Sequence, residues 1–144
     1  MGKSVRDAMT GSPRSIGISA SVVEAARLMR EKRIGSLPII DDEQLVGLIT
    51  DRDITTRVVA EATDANVTPV RDVCSRDLIS VGPDQDLIHA LALMARHQVR
   101  RLPVVESGRL VGIVAQADIA LREKETKTGE LVEAISEPSE GERR

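Results

Sequence analysis

Short apolar runs, each pair broken by a polar stretch, recur along the chain and frame its reading. Runs 37–40 and 45–50 flank the polar turn Asp41-Asp42-Glu43-Gln44, and runs 102–105 and 110–114 flank Glu106-Ser107-Gly108-Arg109. Apolar runs of four to six residues bounded by turn residues predict buried strands joined as hairpins. Pro38 and Pro103 cannot donate to a ladder, which places each at the edge or entry of its strand. Ahead of each hairpin the spacing becomes helical. Ser21-Val22-Val23-Glu24 is a capping box opening a helix to about Arg33, with Val22, Ala25, Ala26 and Met29 on one face. The second such helix starts at Asp86 and runs to about His97, with Leu87, Ala90, Leu91 and Met94 facing inward. Short extended pieces precede them at 15–18 and 78–81. Earlier still, Ser4 and Asp7 can cap a short helix, and Thr68-Pro69 starts its equivalent with Pro at the first position. A last helix follows each hairpin, from Asp51 to about Val59 and from Gln116 to about Leu121.

The chain is written twice. At an offset of 65, residues 5–54 align with 70–119 without a gap, and fifteen of the fifty paired positions are identical. Val5-Arg6-Asp7 falls on Val70-Arg71-Asp72, Leu37-Pro38 on Leu102-Pro103, Leu45-Val46-Gly47 on Leu110-Val111-Gly112 and Asp53-Ile54 on Asp118-Ile119. Each copy is too small to bury a good core alone, so the halves are expected to fold against each other. The organisation read here is a first unit at 1–59, a polar linker at 60–68, a second unit at 69–123 and a charged tail at 124–144. The cluster Leu131-Val132-Ile135 gives that tail a short helix at 128–135.

Composition narrows the function. The 144 residues include no Trp, Tyr or Phe, and 20 basic against 23 acidic residues leave a net charge of -3. Neither the basic field nor the stacking platform of a nucleic-acid binder is present, and nothing suits an anionic membrane. The opening Met1–Asp7 segment has no apolar stretch, and no apolar run approaches the roughly 20 residues of a membrane helix, so a cytoplasmic protein is expected. The single cysteine, Cys74, cannot close an internal disulfide and has no activating neighbour, so it reads as a buried, inert thiol. His89 and His97 are eight residues apart, which is not a metal-ligand spacing, and Asp41-Asp42-Glu43 reads as a solvated turn. No metal site and no catalytic motif are expected.

The repeating unit of helix, strand, helix, strand, strand and helix resembles the cystathionine β-synthase (CBS) domain, and two in tandem resemble a CBS pair, or Bateman module. Val5-Arg6-Asp7-Ala8-Met9-Thr10 at the start, Leu-Pro opening each hairpin and Gly47-Leu48-Ile49-Thr50-Asp51-Arg52-Asp53-Ile54 at the end carry the likeness. The layout is also similar to stand-alone bacterial CBS-pair proteins of the hypoxic-response type. The resemblance implies an α/β (α+β) fold, a tandem pair packed with pseudo-two-fold symmetry. It implies a regulatory module that binds AMP, ADP, ATP or S-adenosylmethionine, requires no cofactor, forms a homodimer and acts on an unknown effector protein. CBS pairs also occur inside inosine-monophosphate dehydrogenases, but no barrel and no catalytic cysteine loop is legible here, so no enzyme is expected. The alternative is a structural or partner-binding dimer with degenerate nucleotide sites.

The same resemblance names site residues. Thr50 would hold a phosphate and Asp53 the ribose hydroxyls, at a strand end where the free N–H groups of a helix start suit an anion. Thr-x-x-Asp at a helix start is equally a capping pattern, and both readings stand at this point. The second copy keeps Asp118 but has Ala115 for the hydroxyl, while Arg100 and Arg101 replace Gly35 and Ser36 and offer forks for phosphate. Purine contacts are implied for Ile16, Leu37 and Pro38, and for Val81, Leu102 and Pro103, all of which would otherwise be plain core.

Overall fold

The computed structural model describes residues 3–124, and the expected tail helix at 128–135 lies outside them. The order is α1 (Val5–Ala8), β1 (Thr10–Gly11), β2 (Ile16–Gly17), α2 (Val22–Lys32), β3 (Ser36–Asp41), β4 (Gln44–Thr50), α3 (Asp51–Ile54), α4 (Leu87–His97), β5 (Arg101–Glu106) and β6 (Arg109–Ala115), followed by α5 over 116–124. α3 continues as a π-helical turn, Thr55–Val59, and Val70–Asp72 forms a 3-10 turn. Mixed helices and strands in a tandem pair are the fold class expected from the sequence.

Local chemistry sets the ends of these elements. Ser21 Oγ accepts from the Glu24 N–H at 3.2 Å while Glu24 Oε2 accepts from the Ser21 N–H at 2.7 Å, and Arg33 closes α2 in the left-handed region. Asp86 caps α4 through the Ile88 N–H at 3.1 Å. After α3, Thr55 Oγ1 donates to the Asp51 carbonyl at 3.0 Å and Thr56 Oγ1 to the Arg52 carbonyl at 2.8 Å. Hydroxyls bonded back onto the preceding turn loosen a helix, consistent with its widening here.

The hairpins β3–β4 and β5–β6 have matching registers, with Leu37 opposite Ile49 and Leu102 opposite Val114. They share one six-stranded sheet, joined near their tips where Gln44 pairs with Arg109. Gly108, at φ 81°, turns the second tip, and a Cβ there would run into Gln44 Oε1. An ion pair between Arg109 and Glu43 crosses the same join.

Each repeat's opening segment belongs to the other repeat's core. Val5 is fully buried with Val81, Leu87, Met94, Leu102 and Ile119, while Val70 and Val73 are buried with Ile16, Val22, Leu37 and Ile49. The hydrogen bonds repeat at the same offset. The N–H of Leu87 reaches the Lys3 carbonyl at 2.9 Å, and the N–H of Val22 reaches the Thr68 carbonyl at 2.9 Å. β1 pairs antiparallel with β6, Gly11 against Gly112, and Ser75 bridges to Leu48 in the equivalent place. The first crossing needs glycine, since a Cβ on Gly112 would sit 2.9 Å from the Thr10 carbonyl oxygen, and the second is tight, with a Cβ on Gly47 3.3 Å from that of Ser75.

Five expectations are corrected in detail. Residues 78–81 form only an isolated bridge, Val81 to Val104, because Leu78–Ser80 lacks a partner strand. Ala26 is exposed, since α2 presents Val22, Ala25 and Met29 inward. Pro69 occupies the cap rather than the first helical position, and the turn after it is 3-10. Cys74 is half-buried, packed against the first core beside Gly47. The two prolines are third in their strands rather than at the entry, and for Pro103 the edge alternative holds, since among the named strands β5 pairs with β6 alone. The Pro103 carbonyl accepts from Val81 N–H at 3.1 Å, on the side away from β6, so the missing donor is not one the hairpin needs.

Candidate functional site

Strand alternation builds a cleft opposite the cores. In β3, Leu37 and Ile39 face the helices and Pro38 faces the other way; in β4, Ile49 faces in and Leu48 out. The second hairpin repeats this with Pro103 and Ile113. The outward residues of both hairpins enclose a cleft of about 280 Å³. Its floor contains three pairs related by the 65-residue offset: Ser36 and Arg101, Pro38 and Pro103, Leu48 and Ile113. The cleft therefore straddles the pseudo-two-fold axis.

Its rim is not symmetric. Thr10, Pro13 and Arg14 arrive from the first repeat's crossed-over opener, Ile34 from the end of α2, and Ala115, Ala117 and Asp118 from the start of α5. Their offset counterparts in the same order begin Ser75, Leu78 and Ile79, and include Thr50, Arg52 and Asp53; none of these six lines it. Asp118 is half-buried, and among the described residues its carboxylate accepts no hydrogen bond. A smaller, more polar hollow bounded by Asp7, Thr10, Asp118 and Arg122 adjoins it.

Of the residues singled out from sequence, the cleft brings together Ser36, Pro38, Arg101, Leu102, Pro103 and Asp118. Leu37, Ile16 and Val81 are core residues at 0%, 9% and 2% exposure, and do not line it. Arg100 also stands outside, with its carbonyl accepting from Gln116 N–H at 2.8 Å. Gly35 packs on α3, where its carbonyl accepts from Asp51 N–H at 2.9 Å. Thr50 and Asp53 satisfy each other. Asp53 Oδ2 accepts from Thr50 N–H at 2.9 Å, and Thr50 Oγ1 accepts from Asp53 N–H at 3.1 Å. That is a complete capping box, with Arg57 a further 3.9 Å from the same carboxylate.

Sequence reading missed Thr10, Pro13, Arg14, Ile34, Leu48 and Ile113. Leu48 and Ile113 were recoverable, because alternation from the buried Ile49 and Val114 turns both to the opposite face. The opener residues carry no such signal. Hydroxyls, guanidinium groups, a carboxylate and aliphatic walls make a binding surface, and among the described residues its lining has no histidine, cysteine or lysine. Among the described residues no three His, Cys, Asp or Glu side chains converge on a metal position, and no helix is long and apolar enough to cross a membrane.

Comparisons with known proteins agree with this architecture. The model of the CBS domain family matches residues 5–60 and 70–124. The CBS domain-containing protein YhcV of Bacillus subtilis is 42% identical over 120 residues, covering 83% of this chain and 85% of its own length. Hypoxic response protein 1 of Mycobacterium tuberculosis is 38% identical over 134 residues, 92% of this chain and 94% of its own. A crystal structure of hypoxic response protein I with two coordinated zinc ions superposes with a TM-score of 0.77 at 38% identity, over 83% of this chain and 98% of that one. The CBS domain pair of protein MJ0100, in complex with 5-methylthioadenosine and S-adenosyl-L-methionine, superposes with a TM-score of 0.74 at 28% identity, over 84% of this chain and 99% of that one.

Proposed function

Since the chain belongs to the CBS-domain family, we propose that it is a regulatory module whose central cleft binds an adenosine nucleotide and whose response is read by a partner protein. The observation that carries this reading is the cleft itself. Both repeats contribute to it, so a ligand touching Pro38 and Pro103 together stabilises one arrangement of the halves. Its volume lies near the lower end of the roughly 300–1,000 Å³ of small-molecule sites, a size for one mononucleotide. Aliphatic and proline walls can sandwich a purine, Asp118 can accept both hydroxyls of a ribose, and Arg101 can hold a phosphate. The MJ0100 pair, with its two adenosine-containing ligands, supports the ligand class. The output is made in trans, and the exposed Ile88 of α4 and Leu121 of α5 offer apolar surface for a homodimer.

A second reading is a structural dimer with degenerate sites. The mutual satisfaction of Thr50 and Asp53, and Ala115 in place of a hydroxyl, favour it. One experiment separates the two. Without Trp, Tyr or Phe the chain is nearly silent in the near ultraviolet. Gentle purification, denaturation and filtration would release any bound purine into a filtrate where its absorption identifies it. A blank filtrate followed by flat titrations with AMP, ADP, ATP and S-adenosylmethionine moves the assignment to the structural dimer.

A further inference from the structure

We propose that Arg14 is a specificity-determining residue of the cleft, acting with Arg101 to select ligands that carry a phosphate chain. This rests on the nucleotide reading above and narrows it to nucleoside di- and triphosphates.

Arg14 sits in the loop between β1 and β2, and β1 is held against β6 through Thr10 opposite Ile113. The crossing of the opener thus carries Arg14 from the first repeat to the rim formed by the second. Arg101 is the first residue of β5, opposite Ala115. Both line the cleft and both are exposed. Among the described residues neither makes an ion pair or a side-chain hydrogen bond, whereas Arg6, Arg57 and Arg109 each have a carboxylate within 4.0 Å. Asp118 lines the same cleft without pairing to either.

Two guanidinium groups at one small opening repel each other, and an anion between them relieves that repulsion. Guanidinium is suited to the task because its planar fork meets two phosphate oxygens at once. The offset counterparts of Arg14 and Arg101 are Ile79 and Ser36, so among the described residues the basic rim has one side only. It gives the ligand a direction, with its phosphates toward Arg14 and Arg101. The sulfonium of S-adenosylmethionine would meet like charge there, and adenosine alone would leave both arginines unused.

The test titrates the full chain calorimetrically at low salt with ATP, adenosine and inorganic tripolyphosphate, using wild type, Arg14→Gln, Arg14→Lys and, as a charge control on α2, Arg30→Gln. Losing hydrogen bonds from a charged group to phosphate should weaken ATP and tripolyphosphate about tenfold in Arg14→Gln, with adenosine unchanged within about twofold. Arg14→Lys should fall between, and Arg30→Gln should match wild type. Far-ultraviolet circular dichroism and an unchanged thermal midpoint establish that the variants fold. Equal losses for ATP and adenosine, or none for either, overturn the role of Arg14 while leaving the nucleotide reading intact. So does wild type that binds adenosine but not tripolyphosphate. Wild type that binds none of the three probes overturns both.

Discussion

The main-chain N–H of Val5 donates to the carbonyl of Gln85 at 2.8 Å, tying the first repeat's opening turn to the segment that leads into α4 of the second. Sixty-five residues later Val70 donates to Ala20, also at 2.8 Å. Each half is therefore closed by a piece of the other, and each hydrophobic cluster is completed by a valine from across the molecule. The exchange also brings Thr10, Pro13 and Arg14 to the cleft.

Truncation of Val5 tests this exchange. Val5→Ala removes two buried carbons from the second repeat's core and should cost roughly 2 kcal/mol. The same change at Val59, which is 69% exposed, should stay within about 0.5 kcal/mol. Urea denaturation measures both, and equal effects would mean that the opener does not stabilise the opposite core.

Gly112 tests the strand crossing. A methyl group there meets Met9 Sδ at 2.7 Å and the Thr10 carbonyl at 2.9 Å, and the second contact is backbone. Gly112→Ala should cost about 1–3 kcal/mol, as overpacked sites do. Gly17→Ala, with nothing within 4 Å, should be close to neutral in the same thermal scans.

Much of this was legible in the sequence. The runs around Leu37 and Leu102 predicted the buried strands, Ser21 and Glu24 predicted the start of α2, and the 65-residue offset predicted two like halves. The crossing was not legible, because an offset relates Val5 to Val70 without saying which core either one fills. Arg14 was hidden for a related reason: a loop has no periodicity, and only the crossing brings it to the cleft. At Thr50 and Asp53 the sequence left two roles open. The geometry forms the capping box and gives the cleft the other aspartate, Asp118.

The two aspartates should consequently respond differently. Asp53→Ala should lower stability by about 1 kcal/mol through the lost cap and leave ligand affinity in the cleft unchanged. Asp118→Ala should alter stability by no more than about 1 kcal/mol, the worth of a first-turn carboxylate, while weakening nucleotide binding. Parallel unfolding and binding curves for both variants check this, and the opposite pattern would return the site to the first repeat.

Ligand binding should also appear as stability. At a nucleotide concentration one hundred times Kd, a ligand bound only to the folded chain adds about 2.7 kcal/mol. For a chain of this size that raises Tm by roughly 5–10 °C. Differential scanning calorimetry in the presence of ATP reads the shift directly, and Asp118→Ala should reduce it at the same ATP concentration.

The most direct measurement is a calorimetric titration of the purified chain with ATP, repeated on Asp118→Ala. Saturable binding by wild type and clearly weaker binding by the variant is the predicted result. Absence of binding at millimolar ATP, ADP, AMP and S-adenosylmethionine, or equal affinity in both proteins, would contradict a nucleotide site in this cleft.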